Sequence, residues 1–562
     1  MASPKSPSPS LLERHSSLVV TASLSLVVLM SAGIRLRLLN VPLERDEGEY
    51  AYAGQLIRRG FPPYLHAYNM KFPGVYAAYA VLMSAFGETI AGIRIGLLIV
   101  NVATIVLVFL LARRLMEPLP AVAAAASFAF LSLGMSVLGS YAHATHFVIL
   151  FVVAGSLTLL KGVETARSGW LIASGALFGL GVLMKQHGLF FIVFAAVYVI
   201  WDEYSIRHGS LRDSMAKIVK LSLGAAIPLG LTILLLWREG VLGKFWFWTF
   251  KYATNYVTEQ PLSVGLHFLL NNFRAIVGAS VVLWVLAGVG AIAMWSSSQA
   301  RETRIFLIGL LSASILAIVP GFYFRPHYFI LLLPSAALLI GSALGWLKNL
   351  LMTERLPVAS ISLPLFLLIV GIGSAALQQR VFLFEVRPEE ASRMVYGAAA
   401  FPESVDVAAY IKAHTEESDR IAVLGSEPQI YFYSNRLSAS GHIYMYGLME
   451  PHSYAEQMQR EMIDEVEQAA PKFVVQVFAP GSWVARPNSP EFVFQWMKGF
   501  VKEKYTLVGV AEIVSSDKTR YHWDKEAAEY SRRSRDVTDP YREFPTVLVF
   551  RRKGTAGGVA SG

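Results

Sequence analysis

Cysteine is absent from the 562 residues of this chain, and charged residues are scarce. The missing thiols exclude disulfides, thiolate metal ligands and a cysteine nucleophile. Charged residues make up 16% of the chain, whereas 54% of the residues are hydrophobic and the mean hydropathy is +0.47. A soluble protein carries more charge, so the composition predicts a protein built largely of membrane-spanning helices.

The soluble part of the sequence also lacks a basic stripe interleaved with aromatic residues, although the net charge of the chain is +9. From residue 380 onward there are 22 Lys and Arg against 25 Asp and Glu, whereas the preceding part holds 27 basic and 15 acidic residues. The basic excess therefore belongs to the apolar part, as the positive-inside rule predicts, and nucleic acid is not expected as a partner.

Apolar segments near the ~20 residues that cross a bilayer predict eleven spans, which form a transmembrane core at 18–379. No small-residue cleavage site follows the first segment, so we expect a retained helix after a cytoplasmic tail at 1–17. The expected spans are 18–39, 90–112, 119–138, 145–162, 169–185, 187–202, 217–237, 274–295, 304–321, 327–347 and 357–378.

Loop charges predict the orientation of these spans. With a cytoplasmic N-terminus, the basic residues of the alternate loops all fall on the cytoplasmic side. These residues are Arg113, Arg114, Lys161, Arg167, Arg207, Arg212, Lys217, Lys220, Arg301, Arg304, Lys348 and Arg355. An odd number of spans then places the chain after Arg380 outside. An extracytoplasmic domain without cysteine is typical of many bacterial proteins, so we expect a multi-pass protein of the bacterial inner membrane.

Two outer segments differ from ordinary short loops, the first by its amphipathic helical patterns and the second by its aromatic residues. The first, 40–89, holds amphipathic helical patterns at 48–59 and 74–86, which predict helices lying in the membrane interface. The second, 244–256, has the sequence KFWFWTFKYATNY. It is typical of an aromatic interfacial belt, and a functional role is the alternative.

Beyond residue 380 the pattern predicts an extracytoplasmic α/β domain at 380–553. Strand-like runs lie at 420–425, 472–478, 505–514 and 546–552, and helical runs lie at 403–415 and 453–469. Their alternation predicts a layered sheet with helices. We expect a disordered tail at 554–562, and no internal repeat is evident.

An acidic cluster, LERDEGEY, directly follows the first span. Asp46 and Glu47 are either solvated loop charges or a partly desolvated pair that acts as a general base or binds a cation. Glu44 and Glu49 are expected to be solvated or paired with Arg45.

Three basic residues on the outer side run against the positive-inside trend. Lys71, in YNMKFPG, either snorkels to headgroups or neutralises a phosphate. Lys185, in LMKQHG, needs an acidic residue or a lipid phosphate as a partner. Arg325, in GFYFRPHYF, suits bidentate phosphate recognition.

Aromatic and histidine residues accompany these charges on the outer side. Tyr323, His327 and Tyr328 flank Arg325, and Tyr328 is a further candidate for binding a lipid phosphate. His143 and His146 either share a metal or form hydrogen bonds at the interface. Tyr68 is an auxiliary candidate. Tyrosines 431, 433, 444 and 446 either stack on sugar rings or pack in the core of the C-terminal domain.

The first-loop sequence RDEGEYAYAGQLIRRGFPPYLHAYNMKFPGVYAAYAVL resembles the GT-C glycosyltransferases of the protein O-mannosyltransferase superfamily, in particular the bacterial branch that includes the lipid A aminoarabinose transferases. GLGVLMKQHG, FWFWTFKY and RPHYFILLLPSAALLIG support the resemblance, which extends over about 20–480. It implies a multi-helix membrane core with juxtamembrane helices in the first outer loop and an extracytoplasmic domain. It also implies transfer of one sugar from a polyprenyl monophosphate to an acceptor hydroxyl, with inversion.

By this resemblance, the acidic pair carries over to Asp46 and Glu47, and the basic residue to Lys71. Two departures concern a metal. Met70 stands where the aminoarabinose transferases have an acidic residue of a metal site, and HATH stands where many relatives have a second acidic residue. The resemblance therefore predicts no certain cofactor, and it leaves a divalent metal open.

In the mechanism that we expect, Asp46 is the general base and Glu47 increases its basicity by like-charge repulsion. Lys71, Arg325 and Lys185 stabilise the leaving phosphate. The partners would be membrane lipids, a polyprenyl-phosphate sugar and an acceptor that is a glycan, a lipid or a protein. A flippase for a lipid-linked sugar and a non-catalytic assembly protein are the alternatives. Clustering of the charges on one side and the lack of repeats argue against a transporter.

Overall fold

The computed structural model describes residues 11–165, 167–296, 301–533 and 543–554. Most of the expected N-terminal tail, residues 1–10, and nearly all of the expected disordered tail, residues 555–562, lie outside the described residues. Short 3-10 or π-helical turns at Gln186–Gly188, Phe247–Tyr252, Pro326–Leu332 and Val381–Glu385 interrupt or extend several helices.

Within these ranges the α-helices are α1 (Leu11–Arg37), α2 (Arg45–Arg58), α3 (Pro73–Phe86), α4 (Ile90–Leu115), α5 (Pro118–Leu131), α6 (Ala144–Thr165), α7 (Ser168–Met184), α8 (Leu189–Ser205), α9 (Leu211–Arg238), α10 (Leu242–Trp246), α11 (Ala253–Thr258), α12 (Leu262–Gly278), α13 (Val281–Ser296), α14 (Arg301–Ile318), α15 (Leu333–Thr353), α16 (Pro357–Gln378), α17 (Pro388–Tyr396), α18 (Phe401–Ala413), α19 (Gln429–Ser434), α20 (Tyr446–Met449), α21 (Ala455–Ala469), α22 (Phe492–Lys504) and α23 (Lys525–Arg533). The strands are β1 (Arg420–Leu424), β2 (Leu437–Ser438), β3 (Phe473–Phe478), β4 (Tyr505–Ser515), β5 (Lys518–Trp523) and β6 (Thr546–Arg552).

The chain divides into two compact units. Unit 1 comprises Met1–Leu38, Ile95–Leu231 and Glu259–Glu385. Unit 2 comprises Leu39–Arg94, Thr232–Thr258 and Val386–Gly562. Unit 2 therefore contains the first-loop segment, the aromatic segment and the α/β region together. The domain boundaries expected from the sequence stay a prediction.

Among the described residues, seven helices are long and apolar enough to cross a membrane, and a bent helix pair would make eight. The chain is a multi-pass membrane protein, while the number of eleven spans stays a prediction. The expected span 119–138 corresponds to the 14-residue helix α5, and the expected span 169–185 corresponds to the 17-residue helix α7.

The single continuous helix expected at 274–295 is wrong, because two helices occupy this part of unit 1. Helices α12 and α13 meet at an angle of 105°. The break falls between Gly278 and Val281, where a glycine and Ser280 weaken the helix, as such residues commonly do at sharp kinks. The expected helix thus begins in α12 and continues in α13 with a different direction.

The helices expected in the first-loop segment are confirmed as α2 and α3. Glu44 caps α2 in a capping box, in which its carboxylate accepts from the Glu47 N–H and the Glu47 carboxylate accepts from the Glu44 N–H. Pro73 occupies the first turn of α3, where a missing N–H is tolerated. Gly87, at φ +90°, follows the last residue of α3 and allows the chain to turn away.

The described strands of unit 2 form one sheet of order β2-β1-β3-β6-β4-β5. Strand β1 is parallel to β2 and β3, whereas β6 pairs antiparallel with β3 and β4, and β5 pairs antiparallel with β4. The four expected strands are confirmed as β1, β3, β4 and β6, and the two expected helices are confirmed as α18 and α21. Strands β2 and β5 were not predicted.

Candidate active site

The first turn of α2 in unit 2 carries the acidic cluster, and its carboxylates have different partners. Glu47 is fully buried and accepts hydrogen bonds from Arg94, one of them from Nη2 at 2.9 Å. Arg94 also donates to the carbonyl of Val41 at 3.2 Å. Glu47 therefore joins the start of α2 to an arginine in the first turns of α4.

Asp46 and Glu49 lie three positions apart on α2, so their side chains share one helix face. Lys71 joins them, because its Nζ donates to Asp46 Oδ1 and to Glu49 Oε2, each at 2.7 Å. Tyr76 in the first turn of α3 donates to Glu49 Oε1 at 2.5 Å. The side chain of Glu49 is 0% exposed, whereas those of Asp46 and Lys71 are 25% and 20% exposed. Asp46 is thus the accessible carboxylate of the pair.

Three tyrosine side chains hold Lys71 in place. The hydroxyl of Tyr64 donates to the Lys71 carbonyl at 2.7 Å. The Lys71 ammonium lies 4.7 Å from the ring centre of Tyr50 and 5.4 Å from that of Tyr444. These rings favour a cation at this point.

Burial and charge set the protonation of this cluster. Burial, together with the charge of Asp46, raises the pKa of Glu49, and Lys71 opposes the rise. Burial alone would lower the pKa of Lys71, but Asp46 and Glu49 hold it well above its usual range. When Asp46, Glu49 and Lys71 are all ionised, the cluster has one net negative charge, so it can accept a proton and become neutral.

The remaining charges of the motif are also buried. The expectation that Glu44 and Glu49 are solvated or paired with Arg45 is wrong, because both carboxylates are buried and Arg45 pairs with Glu427 at 3.1 Å. Burial raises the pKa of Glu44 well above its usual range, and the charges of Asp46 and Glu47 add to the rise. Arg45 also donates from Nε to the carbonyl of Ser426 at 2.6 Å.

Within unit 2, Asp46 and Glu49 are two carboxylates that converge on one point, where a divalent metal can be considered. The ammonium of Lys71 already bridges the two carboxylates, and the neighbouring Met70 supplies no carboxylate. This pair of carboxylates therefore does not fit a divalent metal.

Tyr68 lies in a second polar cluster of unit 2. Its hydroxyl donates to Glu465 at 3.0 Å and accepts from Lys244 Nζ at 3.0 Å, and its ring stacks on Trp248 at 5.6 Å between ring centres. The aromatic segment 244–256 therefore has two faces. Phe245, Trp248 and Tyr252 are buried, whereas Trp246 and Phe250 are exposed.

The basic candidates of unit 1 lie beside aromatic rings. Lys185 follows α7, and its Nζ lies 4.2 Å from the ring centre of Tyr328. The Arg325 guanidinium lies 5.1 Å from the ring centre of Tyr323. Arg325 follows a turn in which Phe322 and Phe324 have positive φ angles of +55° and +41°. Such angles disfavour side chains of this size, so the packing of unit 1 must hold this turn.

The histidine candidates are buried in unit 1. The ring of His143 stacks on that of His327, with 4.1 Å between ring centres and 13° between ring planes. His146 lies in the first turn of α6 and is also buried. The structure thus brings His143 together with a histidine from the segment that carries Arg325 and Tyr328.

Two residues that contact Asp46 or Lys71, namely Glu49 and Tyr444, were not predicted to belong to this cluster. Glu49 could have been found from its spacing of three residues from Asp46 on a helix. Tyr444 donates from its hydroxyl to Asp46 Oδ1 at 2.9 Å, and no local signal marks it among the tyrosines of its segment.

Comparison with known proteins supports the resemblance found in the sequence. Residues 70–237 match the family model of dolichyl-phosphate-mannose-protein mannosyltransferases. Lys71, His143 and Lys185 lie within the matched residues, whereas Asp46 and Arg325 lie outside them. No curated protein sequence matches the chain.

Several solved structures share the fold at low sequence identity. ArnT from Cupriavidus metallidurans, bound to undecaprenyl phosphate, is 15% identical with a TM-score of 0.56, over 94% of this chain and 98% of that chain. The apo oligosaccharyltransferase of Archaeoglobus fulgidus is 14% identical with a TM-score of 0.54, over 90% of this chain and 74% of that chain. AglB of the same archaeon, in complex with an inhibitory peptide and a dolichol-phosphate, is 14% identical with a TM-score of 0.53, over 92% of this chain and 75% of that chain. The expected GT-C fold class is confirmed.

Proposed function

We propose that this chain is a membrane glycosyltransferase that transfers one sugar from a polyprenyl phosphate to an acceptor hydroxyl, with inversion, on the outer face of a bacterial inner membrane. The observation that carries the proposal is the cluster of Asp46, Lys71 and Glu49, in which one accessible carboxylate belongs to a group with net negative charge. The fold shared with proteins bound to undecaprenyl phosphate or dolichol-phosphate supports a lipid-linked donor.

In the proposed reaction Asp46 takes the proton of the acceptor hydroxyl. The acceptor oxygen forms a bond to the anomeric carbon as the bond from that carbon to the phosphate oxygen breaks. The electron pair of the broken bond stays on the phosphate, which leaves as polyprenyl phosphate. Once Asp46 is protonated, Lys71 and Glu49 balance each other's charge, so the cluster is neutral when the proton has moved.

The leaving phosphate needs cations, and unit 1 offers Lys185 and Arg325. A preorganised positive group at a developing negative charge is among the largest contributions to catalysis. We assign the phosphate to these two residues, with Tyr328 beside Lys185. Lys71 was expected in this role, but its ammonium already compensates two carboxylates.

The experiment uses the full-length protein in liposomes that contain undecaprenyl phosphate carrying a hexose or an aminopentose, with an extract of envelope lipids and glycans as acceptor. We expect at least one donor to be converted to free undecaprenyl phosphate only when protein and acceptor are both present. Nuclear magnetic resonance of the product should show an inverted anomeric configuration. If no donor is consumed, the proposal is wrong, and movement of intact donor between leaflets would identify a transporter.

A further inference from the structure

The parallel strands of unit 2 end at one edge of the sheet. Strand β1 lies between β2 and β3, so the chain leaves β1 toward one neighbour and later returns on the other side. In open α/β sheets, ligands bind in the crevice outside the carboxyl ends of the strands at such a reversal of strand order. The loops that follow β1, β2 and β3 are therefore the expected binding position of this sheet.

The group at this edge is a side chain of the same unit. The guanidinium of Arg45 binds the loop after β1, through the carbonyl of Ser426 at 2.6 Å and the carboxylate of Glu427 at 3.1 Å. Ser482, in the loop after β3, donates to Glu427 at 2.7 Å. The guanidinium also lies 5.4 Å from the ring centre of Tyr446. The loops after β1 and β3 thus hold the first residue of α2.

The loop after β2 reaches the next residue of the same helix. Tyr444 lies in this loop and donates to Asp46 Oδ1 at 2.9 Å. Two contacts fix the loop beside Tyr444. The Met445 N–H donates to Ser426 Oγ at 2.9 Å, and the Tyr446 hydroxyl donates to the Gly481 carbonyl at 2.7 Å. The hydroxyl of Tyr444 is therefore presented by the same strand edge that holds Arg45.

We propose that Tyr444 is a positioning residue for Asp46, and that the α/β domain uses the binding edge of its sheet to hold the Arg45–Asp46 turn in its reactive orientation. The inference rests on the proposed function, because it assigns Tyr444 a part in the reaction of Asp46. It also gives the C-terminal region a role in catalysis itself, in addition to any role in selecting the acceptor.

The chemistry of the contact predicts two effects. A hydrogen bond to one oxygen of a carboxylate fixes the rotation of the group, and a misplaced base loses rate. A donor also stabilises the ionised form of a carboxylate, so its loss makes the base protonate at higher pH. Other charged or titratable groups of unit 2 near Asp46 include Lys71, Glu49, Tyr50, Glu44, Glu47 and Arg45.

The test compares Tyr444→Phe with Tyr410→Phe. Tyr410 is a matched control, since its hydroxyl also donates to a carboxylate, that of Asp524, at 2.7 Å in the same unit. Tyr444→Phe keeps the ring and loses one hydrogen bond to the charged carboxylate of Asp46. We therefore expect a kcat about tenfold lower, with the donor KM within about twofold of the wild-type value. The acid limb of the pH–rate profile should move to higher pH. Tyr410→Phe should change none of these quantities.

The donor in this test is the undecaprenyl-phosphate sugar that the wild-type protein consumes. If the wild-type protein consumes none, the proposed function fails and the role of Tyr444 falls with it. If the wild-type protein is active and Tyr444→Phe matches it in kcat and pH profile, only the role of Tyr444 is wrong.

Glu427→Gln provides a second variant that weakens the hold on Arg45 at the other side of the turn. If Tyr444→Phe does not fold, we expect Glu427→Gln to lower kcat per folded protein with little change in donor KM, and to lower the melting temperature because it breaks a buried ion pair. An unchanged kcat in folded Glu427→Gln would overturn the role of the sheet edge.

Discussion

The ammonium nitrogen of Lys71 lies 2.7 Å from Oδ1 of Asp46, and this contact defines the cluster at the start of α2. Lys71 makes a second contact of the same length to Glu49, which is fully buried. The pairing gives the accessible Asp46 a cation that it must share. Because Lys71 compensates two carboxylates at once, the three ionised groups together keep one net negative charge.

Removing the shared cation should destabilise the protein. Lys71→Met leaves two neighbouring carboxylates without it, so we expect the free energy of unfolding to fall by about 2–3 kcal/mol. The double variant Lys71→Met/Glu49→Gln should recover part of this loss, because the buried charge is then gone. Lys472→Met is the control, since its pair with Asp419 at 2.8 Å is more exposed and should contribute under about 1 kcal/mol. Thermal melting in detergent measures all three, and a loss that Glu49→Gln does not reduce would contradict the account.

The raised pKa of Glu49 predicts a pH-dependent stability. Burial raises this pKa above its ordinary value of 4.5. The unfolded chain therefore releases the proton of Glu49 at lower pH than the folded protein does. Stability is lost as the pH rises from the ordinary value through the raised one. Glu49→Gln lacks this loss, so its melting temperature relative to wild type should be higher at pH 8 than at pH 4. If the difference in melting temperature between Glu49→Gln and wild type is the same at both pH values, the raised pKa of Glu49 is wrong.

Glu47 should behave as a structural residue, unlike its neighbour Asp46. Glu47→Gln replaces the buried carboxylate that pairs with Arg94 by a neutral amide, so we expect a loss of about 3–5 kcal/mol in the free energy of unfolding. The protein that remains folded should keep its kcat within about threefold and its pH–rate profile unchanged, because Glu47 does not pair with the Lys71 that Asp46 shares. Steady-state kinetics normalised to folded protein checks this. A large loss of kcat in Glu47→Gln at normal stability would contradict this prediction and show that Glu47 acts in catalysis together with Asp46.

Lys185 should act on donor binding. Lys185→Ala removes a cation proposed for the phosphate, so we expect the donor KM to rise about tenfold. Lys161→Ala is a matched control, because Lys161 also lies over an aromatic ring, that of Trp170 at 3.8 Å. It should leave the donor KM unchanged. Titration of binding with undecaprenyl phosphate itself measures both variants, and equal affinities would remove Lys185 from the phosphate site.

Sequence patterns were sufficient for much of the fold because apolar runs carry strong signals. The strands β1, β3, β4 and β6 were predicted from their Val- and Ile-rich runs. Strand β2 has only two residues, and β5 alternates Lys518, Arg520 and His522 with less polar residues, as edge strands do. Such short or charged strands give no apolar signal.

The candidate site was predictable where its residues lie close together in the sequence. Asp46 and Lys71 were found because a motif and a charge pattern mark them within one loop. Their partners in the C-terminal region could not be found in this way. In the sequence, 398 residues separate Asp46 from Tyr444, and 382 separate Arg45 from Glu427. Contacts between residues so far apart in the sequence depend on tertiary packing, which the pattern of one sequence does not specify.

The single-turnover rate of Asp46→Asn tests the account most directly. The full-length protein is mixed with an undecaprenyl-phosphate sugar that wild type consumes, and donor affinity is measured separately. Asp419→Asn is the control, because Asp419 also pairs with a lysine but lies directly before β1, whereas the loop that binds Arg45 follows β1. Loss of the general base should lower the rate of Asp46→Asn by about a thousandfold, with donor affinity within about twofold of wild type. An Asp46→Asn rate within tenfold of wild type would contradict the assignment of Asp46 as the base.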